Sequence, residues 1–191
     1  MELFKSTRLK VGDYILQKKC SGTKRKVFFP NLNEVKVIGI VWDSSNPEEF
    51  SHLSKFYQNM HDRNIKVKIL GYFTGINLPD QYIGIRYLTL LRKQDVNFFY
   101  VPFTAEAINF SNSRFDVLID INFNKLFPLH YISSLSKAGF KVGLFESEDA
   151  KTPFDLMMEI KKPVDIGNYL KEILHYLEMI NSGDKISADK E

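Results

Sequence analysis

Asp43-Ser44-Ser45, Phe73-Thr74-Gly75, Asp120 with Asn122 and Asn124, and Glu146-Ser147-Glu148 each follow an apolar run. In an open parallel sheet such positions are the carboxyl ends of strands, where ligands bind. Carboxylates converging there could hold Mg²⁺, which prefers oxygen ligands and keeps several waters. The plainer reading is that Asp43 and Asn46 shape a turn and cap a helix, while Glu146 and Glu148 face water. Asp43, Ser44, Thr74, Asp120 and Asn122 are therefore the candidate ligand-binding residues. The pattern designates no catalytic residue, no metal site and no cofactor.

Phosphate cradles are missing from the pattern. No G-x-G-x-x-G follows the first apolar run, and no G-x-x-x-x-G-K-[ST] occurs. Ser21-Gly22-Thr23-Lys24 has a passing likeness to a phosphate loop but precedes the first strand, so the strand-to-helix context is absent. Backbone N–H groups after Ser44 and Ser45 could face an anion, yet Pro47 removes one donor and Asp43, Glu48 and Glu49 would repel the charge.

The histidines are scattered. His52 and His61 are roughly half a revolution out of phase on one helix, so they cannot share a metal there. His130 and His175 fall on other segments. Cys20 is the only cysteine, which excludes an internal disulfide and a multi-cysteine metal site and suits a reducing compartment. Lys18, Lys19, Lys24 and Arg25 beside it would lower its pKa.

Charge is divided along the chain. Residues 1–28 carry eight basic and two acidic side chains, a local +6, and the remaining 163 residues carry 18 basic and 21 acidic, a local −3. The run Lys18, Lys19, Lys24, Arg25 and Lys26 could contact a polyanion, a nucleic acid or an anionic surface, with Phe28 and Phe29 stacking or inserting behind it. A solvated connector facing an acidic body is the plainer alternative. Trp42, Phe73, Phe98 and Phe99 read as core aromatics rather than as a binding platform.

These residues need elements to position them. Val35–Trp42 is β-branched and almost continuously apolar, as in a strand buried on both faces. Asn46, Pro47 and Glu49 then start a helix by cap, first-turn proline and capping box, with Phe50, Leu53, Phe56, Tyr57 and Met60 as its apolar stripe. Ile65–Phe73 is the second strand, which closes a right-handed βαβ unit. Ile85–Leu91 fits strand or helix; Asn97–Val101 reads as a short strand, and Thr104 caps a brief helix through Ala107. Phe115–Ile121, a helix over 128–138 with Gly139 as C-cap, and Phe140–Phe145 repeat the unit. Phe154–Ile160 is a last strand, Asp165 caps a final helix to Ile180, and the polar segment 181–191 frays.

Alternating strands and helices without an internal linker predict one three-layer, Rossmann-like α/β domain with a mainly parallel sheet over residues 31–180. Residues 1–30 form a basic arm with enough apolar side chains to dock on the body, broken into two pieces at Gly12. No apolar stretch reaches the ~20 residues that a membrane helix needs. The first residues lack the apolar core of a secretory signal, so the expected location is cytoplasmic.

Val37–Asp43, Phe115–Ile121 and Leu135–Gly143 resemble the corresponding stretches of a family of uncharacterised proteins from Bacteroidetes-type bacteria, a resemblance that spans residues 35–180. It implies a Rossmann-like domain and brings no activity with it. Phe115–Gly143 also looks like part of the N-terminal Rossmann half of heptosyltransferase-type glycosyltransferases. Those enzymes need a second domain to hold the nucleotide-sugar, and 191 residues leave no room for one.

The reading that follows is a non-catalytic binding or interaction module whose partner the sequence leaves unknown, a protein being one candidate. The alternatives are an enzyme domain handling a nucleotide or phosphosugar at the strand ends, and polyanion binding through residues 18–26.

Overall fold

Burial of whole strands organises the molecule. In the computed structural model, which describes residues 4–22, 24–145, 152–159 and 165–180, six strands form one parallel sheet. They are β1 (Val37–Asp43), β2 (Lys66–Phe73), β3 (Leu88–Arg92), β4 (Val117–Ile121), β5 (Phe140–Leu144) and β6 (Leu156–Met158). Their order is β3-β2-β1-β4-β5-β6, the doubly wound Rossmann order, and the predicted three-layer α/β class holds. Strand order reverses between β1 and β4, where Val41 pairs with Asp120 and Trp42 with Ile121.

Helices cover both faces. α2 (Phe50–Asp62) and α5 (Ile166–Met179) bury Leu53, Met60, Tyr169 and Ile173 against one side of the sheet. Trp42 lies there without solvent contact, stacked on Phe50 and met edge-on by Tyr82. α3 (Ala105–Asn112) and α4 (Phe127–Leu135) cover the other side through Ala107, Phe110, Leu129 and Ile132. α1 (Lys5–Cys20) packs on the outside of α4, where Leu16, Val101 and Tyr131 form a separate small core. α4 is thus apolar towards the sheet and towards α1.

Several local expectations are corrected. α1 is one continuous helix, not two pieces. Gly12 does not break it, because its missing side chain is what lets the helix approach: a Cβ there would lie 2.5 Å from the Phe99 carbonyl oxygen. Residues 88–92 are a strand, which settles the ambiguous segment. Asn97–Val101 is not a strand but a turn closed at its base by a single antiparallel bridge between Val96 and Pro102. Asn97 Oδ1 accepts from the N–H groups of Phe99 and Val101, which curls the backbone although the residues are β-formers.

Thr104 caps α3 as expected, but the helix continues to Asn112. α4 ends at Leu135, so Gly139 is not its cap. Gly139 instead gives room to the Phe28 ring, whose nearest atom would be 1.9 Å from an added Cβ. Phe98 is not core but 65 % exposed. The last strand is only Leu156–Met158, and Ile160 and the segment 181–191 lie outside the described residues.

Candidate functional site

Two loops leave the sheet on either side of the point where strand order reverses, and both are held by a carboxylate. After β1, the Ser45 N–H donates to Asp43 Oδ1 at 3.1 Å, and Asn124 Nδ2 donates to Asp43 Oδ2 at 2.7 Å. The Ser45 and Thr74 hydroxyls are 2.9 Å apart. Ser44 is fully buried, and its Oγ has no hydrogen-bond partner. Its carbonyl accepts from the Tyr82 hydroxyl, whose pKa is pushed up to about 12 by burial, with Glu49 and Asp43 adding to the effect. The Glu48 N–H is spent on Asn46 Oδ1. The Ser45 and Glu48 N–H groups are therefore engaged within the loop.

After β4, the Asn122 N–H donates to Asp120 Oδ1 at 2.8 Å, and the buried Ser133 hydroxyl of α4 donates to Asp120 Oδ2. Asn122 then pins the start of α4. Its Oδ1 accepts from the Leu126 N–H at 2.8 Å, and its Nδ2 donates to the Leu126 carbonyl at 2.9 Å. On the far side of Ser133, the buried Lys141 of β5 donates to the carbonyls of Ser133 and Ser134 at 2.8 and 3.0 Å. Burial lowers the Lys141 pKa to about 8, Arg25 pushes it the same way, and Asp155 and Cys20 oppose.

A cleft of about 780 Å³ opens beside Asp120. Ser6, Leu9, Lys10 and Asp13 of α1 form one wall; Asp120, Asn122, Phe123 and His130 form the other, with Leu144 and Phe154 completing it. Lys5, Leu9, Lys125 and Phe127 line both this cleft and a second one of about 730 Å³, which reaches Arg8, Tyr72, Thr74, Lys93 and Asn124. Helix α1 is seated between the two by Arg8. Its Nε donates to the Phe98 carbonyl at 2.7 Å, and its guanidinium lies 4.3 Å from the ring centres of both Phe98 and Tyr100. Such cation–π contacts are worth about 0.5–1 kcal/mol each at exposed sites.

The candidate ligand residues are thus divided. Asp120 and Asn122 line the first cleft, Thr74 lines the second, Asp43 reaches that side only through Asn124, and Ser44 is sealed beneath the loop. Glu146 and Glu148 lie outside the described residues. Sequence reading missed Lys5, Leu9, Lys10, Phe127 and His130. Their part depends on where α1 and α4 meet, and no spacing along the chain signals it.

The basic run is divided as well. Lys18, Lys19 and Lys24 line a groove away from the strand ends. Arg25 instead pairs with Asp155 at 2.5 Å and donates to the carbonyls of Ala138 and Gly139, a half-buried structural role. Lys26 is exposed. Phe28 and Phe29 do not form a free stacking pair: the Phe28 N–H donates to the Gly139 carbonyl, and Phe29 packs on Phe140 at 5.3 Å. The Cys20 pKa is raised, not lowered, because burial outweighs the nearby Lys141 charge. Among the described residues, no group of three or more His, Cys, Asp or Glu side chains could hold a metal ion, and no helix is long and apolar enough to cross a membrane.

Sheet order and cleft together define a doubly wound α/β domain whose helix α1, packed on α4, walls a cleft at the carboxyl ends of β4 and β5. The chain belongs to a family of unknown function, DUF6913, whose model matches residues 8–180 and so takes in most of α1 as well as the sheet. No curated protein matches the chain.

Proposed function

We propose that this chain is a non-catalytic binding module of the cytoplasm, holding a small molecule in the cleft between α1 and the carboxyl ends of β4 and β5. One observation supports this most. The oxygens of Asp43 and Asp120, the groups suited to acid–base or metal chemistry, accept hydrogen bonds from their own loops and from Asn124 and Ser133. They staple loops together, while the cleft beside Asp120 falls within the roughly 300–1,000 Å³ range of ligand pockets. Leu9, Phe123, Phe127, Leu144 and Phe154 favour an apolar body, and Lys5, Lys10 and Lys125 favour an anionic group on it.

A thermal-shift panel of aromatic carboxylates, phosphosugars and nucleotides, each with and without Mg²⁺, tests the reading. The expected result is stabilisation by at least one anionic compound, about 2.7 kcal/mol at a hundred times its Kd. Ser6→Trp, which plugs the mouth from an exposed helix position, should abolish the shift without unfolding the protein. A panel without any shift would remove the small-molecule reading. Turnover of a panel compound that Asp120→Ala destroys would make the chain an enzyme instead.

A further inference from the structure

We infer that the groove bounded by α1, α3 and α4 docks an acidic peptide segment of a protein partner. The groove encloses about 920 Å³ and is lined by Lys18, Lys19, Lys24 and Lys137, all exposed, with no Asp or Glu among its described lining residues. Charges of one sign around a concavity favour a partner of the opposite sign and speed its encounter. Between the lysines, Phe103 is 56 % and Ile108 51 % exposed, more apolar surface than such side chains usually leave in water, while Val101 and Leu135 lie beside them.

A second, independent feature points to a ligand. Tyr131 of α4 lines the groove, is 3 % exposed, and its hydroxyl has no hydrogen-bond partner. Buried hydroxyls are nearly always paired. An acidic ligand brings the acceptor that this donor lacks, and the Lys19 ammonium lies 5.6 Å from the centre of the same ring. Lysines bind carboxylates and phosphates as point charges, without a fixed fork. Among the described lining residues Phe103 is the one exposed ring, so successive bases of a nucleic acid would find no stacking platform there, whereas Ile108 suits an aliphatic side chain.

The test is selection of a random dodecapeptide library, displayed on phage, against the full chain. Selected peptides should carry Asp, Glu or both around apolar anchors, and as synthetic peptides they should bind less tightly as salt rises. The triple variant Lys18→Glu, Lys24→Glu, Lys137→Glu should weaken them by at least about tenfold, and Phe103→Ser by about fivefold. Tyr131→Phe should weaken binding by about threefold while leaving the melting temperature unchanged or higher, an outcome that a merely structural hydroxyl would not produce.

Absence of enriched clones, clones without acidic residues, or binding indifferent to these variants would overturn the inference. So would an oligo(dT) strand that binds more tightly than any peptide. Ser6→Trp should leave peptide binding intact, so this groove and the strand-end cleft stand or fall separately.

Discussion

Asp43 and Asp120 occupy neighbouring strand ends, are each 6 % exposed, and perform the same local task. Each accepts, through Oδ1, the backbone N–H two residues ahead and so turns the chain out of the sheet. They differ in what holds the second oxygen. Asp43 Oδ2 takes the amide of the exposed Asn124, whereas Asp120 Oδ2 takes a hydroxyl that has no solvent contact at all. The difference comes from what packs outside each strand. α4 and then α1 lie over the β4 end, so that side has a buried polar chain and a cleft above it. Identical side chains with two strands between them in sequence, yet adjacent in space, are thus fastened to an exposed amide in one case and to a buried hydroxyl in the other. Asp120 itself lines a cavity of ligand size, whereas Asp43 meets the second cleft through Asn124.

Asp120→Ala should cost about 3 kcal/mol, since it orphans the fully buried Ser133 hydroxyl and releases the Asn122 N–H. Equilibrium urea unfolding measures it, and a loss no larger than that of Asp43→Ala would erase the contrast between the two sides. Gly12→Ala attacks the Asp120 side from above. Its new methyl would lie 2.5 Å from the Phe99 carbonyl oxygen, so α1 must shift, at about 2 kcal/mol. Cys20 labelling by a thiol reagent reports that shift, because the burial that raises the thiol pKa depends on α1 remaining seated. Faster labelling in the variant is expected; unchanged labelling would mean that α1 tolerates the methyl. Asp43→Ala should cost about 1.5 kcal/mol, since Asn124 and the Ser45 N–H can turn to water. A larger loss than for Asp120→Ala would reverse the ranking.

How much of this was readable in advance differs by region for physical reasons. β1, α2 and β2 could be read because each carries local instructions: an unbroken apolar run, an apolar stripe at helical spacing, and an alternating run. Asn46 and Pro47, however, open a 3-10 turn over Pro47–Glu49, and α2 itself starts at Phe50 without the expected capping box. Asp120 and Asn122 could be read as strand-end groups because polar residues after Val117–Ile119 have nowhere else to lie. The segment 97–101 could not. Asn97 collects two backbone N–H groups, and that local competition overrides the strand preference of Phe98, Phe99 and Tyr100. Gly12 and Gly139 misled for a shared reason. In each case the glycine makes room for something distant in sequence, the Phe99 carbonyl in one and the Phe28 ring in the other. The α1 wall of the cleft was hidden by the same kind of distance, since Leu9 and Asp120 meet only after α1 has found α4.

The smallest expected effect probes the depth of the Asp120 side through Lys141, which holds the carbonyl of the residue whose hydroxyl holds Asp120. Its pKa of about 8 in the folded protein lies below the ordinary 10.5 of an unfolded chain, burial being the main cause. Between those values the unfolded chain binds more protons than the folded one, so this group makes stability rise with pH. Below about pH 8 the folded state carries the full cost of keeping the ammonium buried, and above 10.5 that cost is gone. Cys20 and the buried Tyr72, Tyr82 and Tyr169 have raised values and pull the opposite way as they ionise in the unfolded chain. The measurement is therefore a difference. Urea unfolding of the native chain relative to Lys141→Met should show a gain of about 1 kcal/mol between pH 7.5 and 9, the opposing groups cancelling because both chains contain them. Parallel pH curves would mean that Lys141 keeps an ordinary, hydrated ammonium, and the polar chain behind Asp120 would then be no more buried than the staple at Asp43.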